Sequence, residues 1–542
     1  MYLLENPVLQ REMLVNLRMA RAFLLLFFYV GMLGLVVYAA WPQPEAQRID
    51  LSNPEASRRL VDLFFLGQYL LASLMAPSFA AAALTGEKER KTYEMLLASP
   101  LAPAAVLVGK LLGALAHVVL LVVASLPIVV LCLPLGGVSF YEVLGAYVAL
   151  VCSIITFGMI SLAASSYFSR TVAALAVSYL AILPLALAGI ALWWSMGGRM
   201  ASLRLVGVLT VVPIVSLVAW LVLGRRIIAR LLHPPDVGSE GKEVVDEEDE
   251  LREAVGLVIR RGHFPDSLFA PAKRNDLLED RANPVLDKEL RSEIFSQGTL
   301  MLRVVIQVSM FLSLPLMGCW LYVWPQWAPW YVSYVLVFNM LVGPVFSAGT
   351  VTSERERQTL DLLLTTILSP WQILWAKLIS GMRVSSVLTS FLTWPMVLAC
   401  LMVSQFWSNL GTVFCYGVVI AVACVTTATI PLFCSVCFRK TSVSLMTSYL
   451  VLILLFAAPV AALFFAQTFF ERATISEILA PIAQLSPFSA VFALPLDFSL
   501  GAEARPANWP VFFGFLACYA TINVLLVASL NWLFYRRWRV AQ

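Results

Sequence analysis

The stretch TGEKERKTYEMLL, Thr85–Leu97, returns as TSERERQTLDLLL at Thr352–Leu364. Each copy follows one apolar run and precedes another, and Lys110 and Lys377 stand in the same register behind it. Two further blocks repeat in the same order. NPVLQREM from Asn6 returns as NPVLDKEL from Asn283, and FSRTVAALAVSYL from Phe168 returns as FRKTSVSLMTSYL from Phe438. Three matched blocks in one order make the chain a duplication, and each copy is expected to be a bundle of the same design.

The sequence between the blocks sets the class. Of the 542 residues 60% are hydrophobic and 13% charged, with a mean hydropathy of +0.84. A soluble domain carries about 25% charged residues, so a lipid bilayer must cover much of this surface. A spanning helix needs roughly 20 apolar residues. Six such runs lie at about 22–41, 60–84, 104–131, 141–167, 171–194 and 203–224. Six more lie at about 299–324, 328–351, 373–403, 407–437, 442–466 and 509–535. The expected fold is therefore an all-α integral membrane protein of about twelve transmembrane helices, in two parallel six-helix repeats related by an axis along the membrane normal. The repeats are read as 1–225 and 283–542, joined by a polar linker at 226–282 that carries the acidic run Asp246–Glu250 and reads as a solvated connector.

Orientation follows from the cations near the span ends. Arg11, Arg18, Arg21, Lys88, Arg90, Lys91, Arg225, Arg226, Lys288, Arg355, Arg357, Arg439, Lys440, Arg536 and Arg537 collect on one side. That side is expected to be cytoplasmic, with both termini inside and the plasma membrane (a bacterial inner membrane) as the location. Arg48, Arg58 and Arg59 after the first span argue mildly the other way. The net charge of +4 thus reports orientation and no nucleic-acid partner. The start of the chain is not expected to be a cleaved signal, since two acids precede a run long enough to span. The nine cysteines lie almost all in apolar runs and form no disulfide framework. The segment 467–508, broken by Pro481, Pro487 and Pro495, is expected to form short helices on or dipping into the outer surface.

The repeated motif carries the chemistry. It combines alternating charges (Glu87, Lys88, Glu89, Arg90; Glu354, Arg355, Glu356, Arg357) with a threonine, Thr92 or Thr359. An acid follows, Glu94 or Asp361, suited to the first turn of a helix, and then Leu96 and Leu97 or Leu363 and Leu364. Such a short charged amphipathic segment reads as a docking surface for another protein, or as an interfacial helix resting on headgroups. Lys110 and Lys377 are expected to snorkel to the headgroups. His117 and Arg383 could line a polar path, although a helix-packing hydrogen bond and snorkelling account for them as well.

The pattern TSERERQTLDLLLTTILSPWQILWAKL, with its NPVL-x-x-E lead-in, resembles the ABC type-2 transporter permeases over both halves. The resemblance implies an amphipathic elbow helix at about 3–21 and 283–298, and a coupling helix at about 86–100 and 353–367. It also implies a pair of separate ATP-binding-cassette nucleotide-binding subunits, one seated on each half, and export as the direction. Two departures stand out. Lys91 and Gln358 occupy the place where many relatives have glycine, and Ile367 replaces the proline that is Pro100 in the first half, with Pro370 three positions later.

No G-x-x-x-x-G-K-[ST] loop occurs, and Gly238-Ser239-Glu240-Gly241-Lys242 has the wrong spacing. The chain is therefore expected to be no enzyme, with no catalytic, metal or cofactor site of its own; ATP and magnesium belong on the partner. A twelve-span secondary transporter is the main alternative, but the spans hold no mid-membrane Asp or Glu of the kind that proton-coupled carriers use. A scaffold that keeps the permease fold and moves nothing is the other. The residues lining the spans do not define a substrate.

Overall fold

The computed structural model describes residues 6–17, 20–40, 54–132, 138–168, 171–195, 201–232, 283–291, 318, 321, 327–356, 358–439, 441–469, 474–494, 496 and 507–538. Among these there is no β-strand, and ten helices are long and apolar enough to cross a membrane. They correspond to the expected spans except two. The run at 22–41 is helical as far as Ala40, where the described residues end, and the run at 299–324 lies outside the described residues apart from positions 318 and 321, as does the linker from 233 to 282. The chain divides into two compact units: Met1–Ala39 with Ser57–Leu277, and Leu278–Glu293 with Leu300–Gln542, with short exchanges at Ala40–Ala56 and Ile294–Thr299.

Unit one begins with α1 (Pro7–Leu17), α2 (Ala20–Ala40) and α3 (Pro54–Ala80). The last continues past a break at Ala81 into α4 (Ala82–Glu89), followed by the one-turn α5 (Tyr93–Leu97). Then come α6 (Pro103–Cys132), α7 (Phe140–Tyr167), α8 (Thr171–Ser195), α9 (Ala201–Val206) and, after a π-turn at Gly207–Val211, α10 (Val212–Leu232). The fourth span, α7, is the centre, packing against α4, α6, α8 and α10. Its Gly158 lets α6 come close, because a Cβ there would stand 2.8 Å from Leu115 Cδ1. The outer face of α10 exposes Ile214, Leu217, Val218 and Leu221, a lipid-facing stripe. This helix runs to Leu232, beyond the expected end at 224, because Ile227 and Leu231, one turn apart, still pack into the core of unit one.

Unit two repeats the plan with α11 (Pro284–Arg291), α12 (Ala328–Ser347), α13 (Thr352–Glu356), the one-turn α14 (Leu360–Leu364), α15 (Pro370–Met402) and α16 (Leu410–Cys437). There follow α17 (Thr441–Leu452), a π-turn at Ile453–Ala457, α18 (Ala458–Phe469), α19 (Thr474–Gln484), α20 (Pro487–Phe492) and α21 (Trp509–Trp538). Here α16 is central, touching α12, α15, α17, α20 and α21. Its core is more polar than that of unit one. Asn339 accepts from Thr427 Oγ1 at 2.5 Å and donates to Thr389 Oγ1 at 3.2 Å. In the register of the repeated blocks, unit one has Ala72, Phe157 and Val122 at these places.

The segment between the fifth and sixth spans of unit two forms α19 and α20, as its prolines suggested. The second of these is wedged into the bundle, with Ala490, Val491 and Leu494 buried completely. A π-turn leaves carbonyls without their usual helical partners. Ser486 Oγ, at the start of α20, donates to one of them, Phe456 O, at 2.6 Å, and Tyr416 donates to Leu494 O at 2.5 Å.

Candidate functional site

The repeated motif does not form a single helix over 86–100 or 353–367. Its first part is the last turns of the second span, which then stop. Thr92 N donates to Glu87 O at 2.9 Å and Lys91 N to Lys88 O at 3.1 Å; Thr359 N donates to Glu354 O at 2.9 Å and Gln358 N to Arg355 O at 3.2 Å. These paired six-to-one and five-to-two bonds are a Schellman stop, which needs a left-handed residue after the helix, usually glycine. Lys91 and Gln358 fill that place at φ 57° and 59°, the position at which the family resemblance leads one to expect glycine. After the stop the chain forms α5 and α14, five residues each. Pro103 and Pro370 both occupy the first helical position of the next span, where a missing N–H costs nothing. Pro370 is therefore the counterpart of Pro103, and the place of Pro100 is simply lost to Ile367, which is fully exposed.

The alternating charges turn inward. Lys88 Nζ donates to the carbonyls of Ser165, Ser166 and Phe168 at 2.8–3.0 Å, the end of α7. Arg355 does the same to Val436 and Phe438 at the end of α16. A cation at a helix C-terminus meets orphan carbonyls and the negative end of the helix dipole. Glu89 accepts from Thr171 N at 2.8 Å and Glu356 from Thr441 N at 3.0 Å, each at the first residue of the fifth span, where a carboxylate suits orphan N–H groups. Ser165 Oγ accepts from Leu84 N and Thr85 N, and Ser435 Oγ from Val351 N and Thr352 N, all within 3.1 Å.

Glu87 and Glu354 point to the lysines of the next span. Lys110 Nζ lies 2.7 Å from both Glu87 and Glu12, the latter on α1. Lys377 lies 2.7 Å from Glu289 on α11 and 3.7 Å from Glu354, which is held at 2.8 Å by Lys288. The lysines do not snorkel: they are 3% and 1% exposed, because paired carboxylates stand over them and their ammonium groups need not reach water. Thr92 and Thr359 donate to the same carboxylates, Glu87 and Glu354. The elbow helices are pinned beside them. Asn6 Nδ2 donates to Ala105 O at 2.6 Å and Asn283 Nδ2 to Gln372 O at 2.9 Å, while each Asn side chain caps its own helix through the N–H groups of Val8 or Val285 at 3.0 Å. Small residues flank the lysines. A Cβ on Gly113 would meet Glu12 Cβ at 2.5 Å, and one on Gly109 would meet Asn6 at 3.0 Å, so α1 lies directly on α6.

The expected site residues thus fall into two groups. Glu87, Glu89, Thr92, Glu354, Glu356 and Thr359 are engaged within their own unit, Glu89 and Glu356 while remaining exposed. Arg90, Glu94 and Asp361 are exposed, together with Met95 and Leu362. Leu97, Leu363 and Leu364 pack on the cores of their units and Leu96 is half-buried; Arg357 lies outside the described residues. Sequence reading missed Tyr93 and Leu360, which anchor the one-turn helices at 6% and 3% exposure. Lys88 lies 5.4 Å from the ring centre of Tyr93, whose hydroxyl is pushed up in pKa by burial. It also missed Glu12 and Glu289 as partners of the lysines, although the blocks that hold them repeat in register. His117 stacks on Phe79 at 5.6 Å between α6 and α3, and Arg383 is half-buried on α15. They belong to different units.

A duplicated helical bundle whose long apolar helices suit a bilayer, with a capped motif turn in each copy, defines a multi-pass helical membrane protein. The family model for ABC-2 family transporter proteins matches residues 10–204 and 238–538, and the chain belongs to that family as a transporter permease. No curated protein matches the chain.

Proposed function

We propose that this permease is the complete membrane half of an ATP-driven exporter, with twelve spans in two repeats, both termini in the cytoplasm and a plasma-membrane location. Two separate nucleotide-binding subunits, which hold ATP and magnesium, seat on it, one at each motif turn. The observation that supports this best is the motif turn itself. In each copy the inner charges tie the turn to the ends of three spans, and what remains outward is a compact knob. That knob presents Arg90, Glu94 and Met95 in unit one, and Asp361, Leu362 and Ile367 in unit two. Rigid exposed apolar side chains with a polar rim are what a docking contact uses.

Extraction in mild detergent followed by native mass spectrometry tests the assembly. One copy of the chain with two ATP-binding-cassette subunits is expected. Met95→Glu and Leu362→Glu should each weaken the hold on one subunit by about 2 kcal/mol, the size of an interface hot spot. Recovery of two copies of the chain with two ATPases, or of no ATPase at all, overturns the model.

A further inference from the structure

The buried lysines join three segments that are remote in sequence. Lys110 starts the third span, Glu12 lies on the elbow helix α1 and Glu87 ends the second span just before the outward turn. The arrangement occurs twice, with Lys377, Glu289 and Glu354 in unit two. Arg11 stands 3.7 Å from Glu87, and its counterpart Lys288 stands 2.8 Å from Glu354. Each node therefore holds two cations and two carboxylates around a lysine that is almost wholly covered; in unit one Gly109 and Gly113, beside the lysine on α6, let α1 lie close.

We propose that Lys110 and Lys377 are positioning residues that make the motif turn, the elbow helix and the start of the third span move as one body, so that a displacement imposed at the turn reaches the elbow helix. The proposal rests on the reading of the turn as the ATPase seat. Two features carry it. The turn and α1 share no covalent connection shorter than the whole of the first two spans, so what joins them is non-covalent. The ion node is a bond between them that water screens little, because its ammonium is almost wholly covered. In unit one the tether passes through Lys110 with equal 2.7 Å contacts on both sides.

The test uses the full chain with its co-purified ATPase subunits in nanodiscs. Spin labels are placed in pairs at Gln10 and Leu144, and at Ala98 and Leu144. Gln10 lies on the elbow, Ala98 at the end of the turn and Leu144 at the far end of α7; all three are exposed. Trapping ATP with vanadate should shift both distances in the parent chain. In Lys110→Met the 98–144 shift should persist while the 10–144 shift is lost, and Lys110→Arg should restore it. Glu12→Gln keeps the Lys110–Glu87 contact and should lose the 10–144 shift alone; it decides the matter if Lys110→Met fails to fold or loses both shifts. Retention of the 10–144 shift in Glu12→Gln or in a folded Lys110→Met overturns the proposal and leaves the docking reading intact. A parent chain that binds no ATPase, or shifts neither distance, overturns both, and shows it before any substitution at the node.

Discussion

At the level of single residues, two kinds of position decide the junction. The first is the left-handed pair. A residue with a Cβ in that conformation costs about 1 kcal/mol relative to glycine. Lys91→Gly and Gln358→Gly should each raise stability by about that amount, read as a higher midpoint in thermal or denaturant unfolding of the chain in micelles; β-branched substitutes there should lower it. The second is the lysine pair. Removing one partner of a buried ion pair leaves an uncompensated charge and costs about 3–5 kcal/mol. Lys110→Met strands Glu12 and Glu87, whose remaining cation, Arg11, is at 3.7 Å and itself mostly exposed. Lys377→Met leaves Glu354 with Lys288 at 2.8 Å, so its loss should be smaller, about 1–3 kcal/mol in the same unfolding measurement.

At the level of elements, the second span of each unit is interrupted before its motif, at Ala81 and at 348–351. A helix that stops and restarts exposes N–H groups, which in an apolar interior must find acceptors. One serine of the fourth span accepts two of them in each unit, and Thr85 Oγ1 and Thr352 Oγ1 return to Ala81 O and Ala348 O. Ser165→Ala and Ser435→Ala should therefore cost about 1–3 kcal/mol each, the penalty for stranding buried donors. Hydrogen exchange should show faster amides at Leu84 and Thr85, or Val351 and Thr352, with the elbow helices unchanged. Unchanged exchange at these four amides would mean that the serines are not their acceptors.

For the whole molecule, the proposed orientation rests on the distribution of arginine and lysine. The elbows, both motif turns and the start of the third span of each unit gather at one end of their own unit, and the cations gather there too. On a cysteine-free background, a membrane-impermeant maleimide added to intact cells should label a cysteine at Leu485 and spare one at Thr365. Labelling of Thr365 with Leu485 protected would invert the topology. The two units are not equal in kind. Asn339, Thr389 and Thr427 tie three helices of unit two by hydrogen bonds, where unit one fills the same register with Ala72, Val122 and Phe157. The repeat preserved the junction more closely than the interior, since oily side chains and satisfied polar ones both fill a bundle, whereas a helix stop and an ion node tolerate few substitutes.

The sequence by itself determined the duplication, the apolar spans and the motif as the place of interest. Each of these is written in local spacing: 20-residue apolar runs and blocks repeated in register. Only the tertiary structure decided which way the charges face. An alternating run such as Glu87-Lys88-Glu89-Arg90 looks the same whether it meets water or its neighbours, because successive residues on a helix point about 100° apart and each finds its own environment. Lys110 faces a carboxylate 98 positions earlier in the chain and another 23 positions earlier. No window along the sequence contains both, so its snorkelling or burial could not be read there. The helix over 86–100 failed for the same reason. Its stop is set by a left-handed backbone that lysine rarely adopts, and the pull that keeps it there comes from a carboxylate held by the next span.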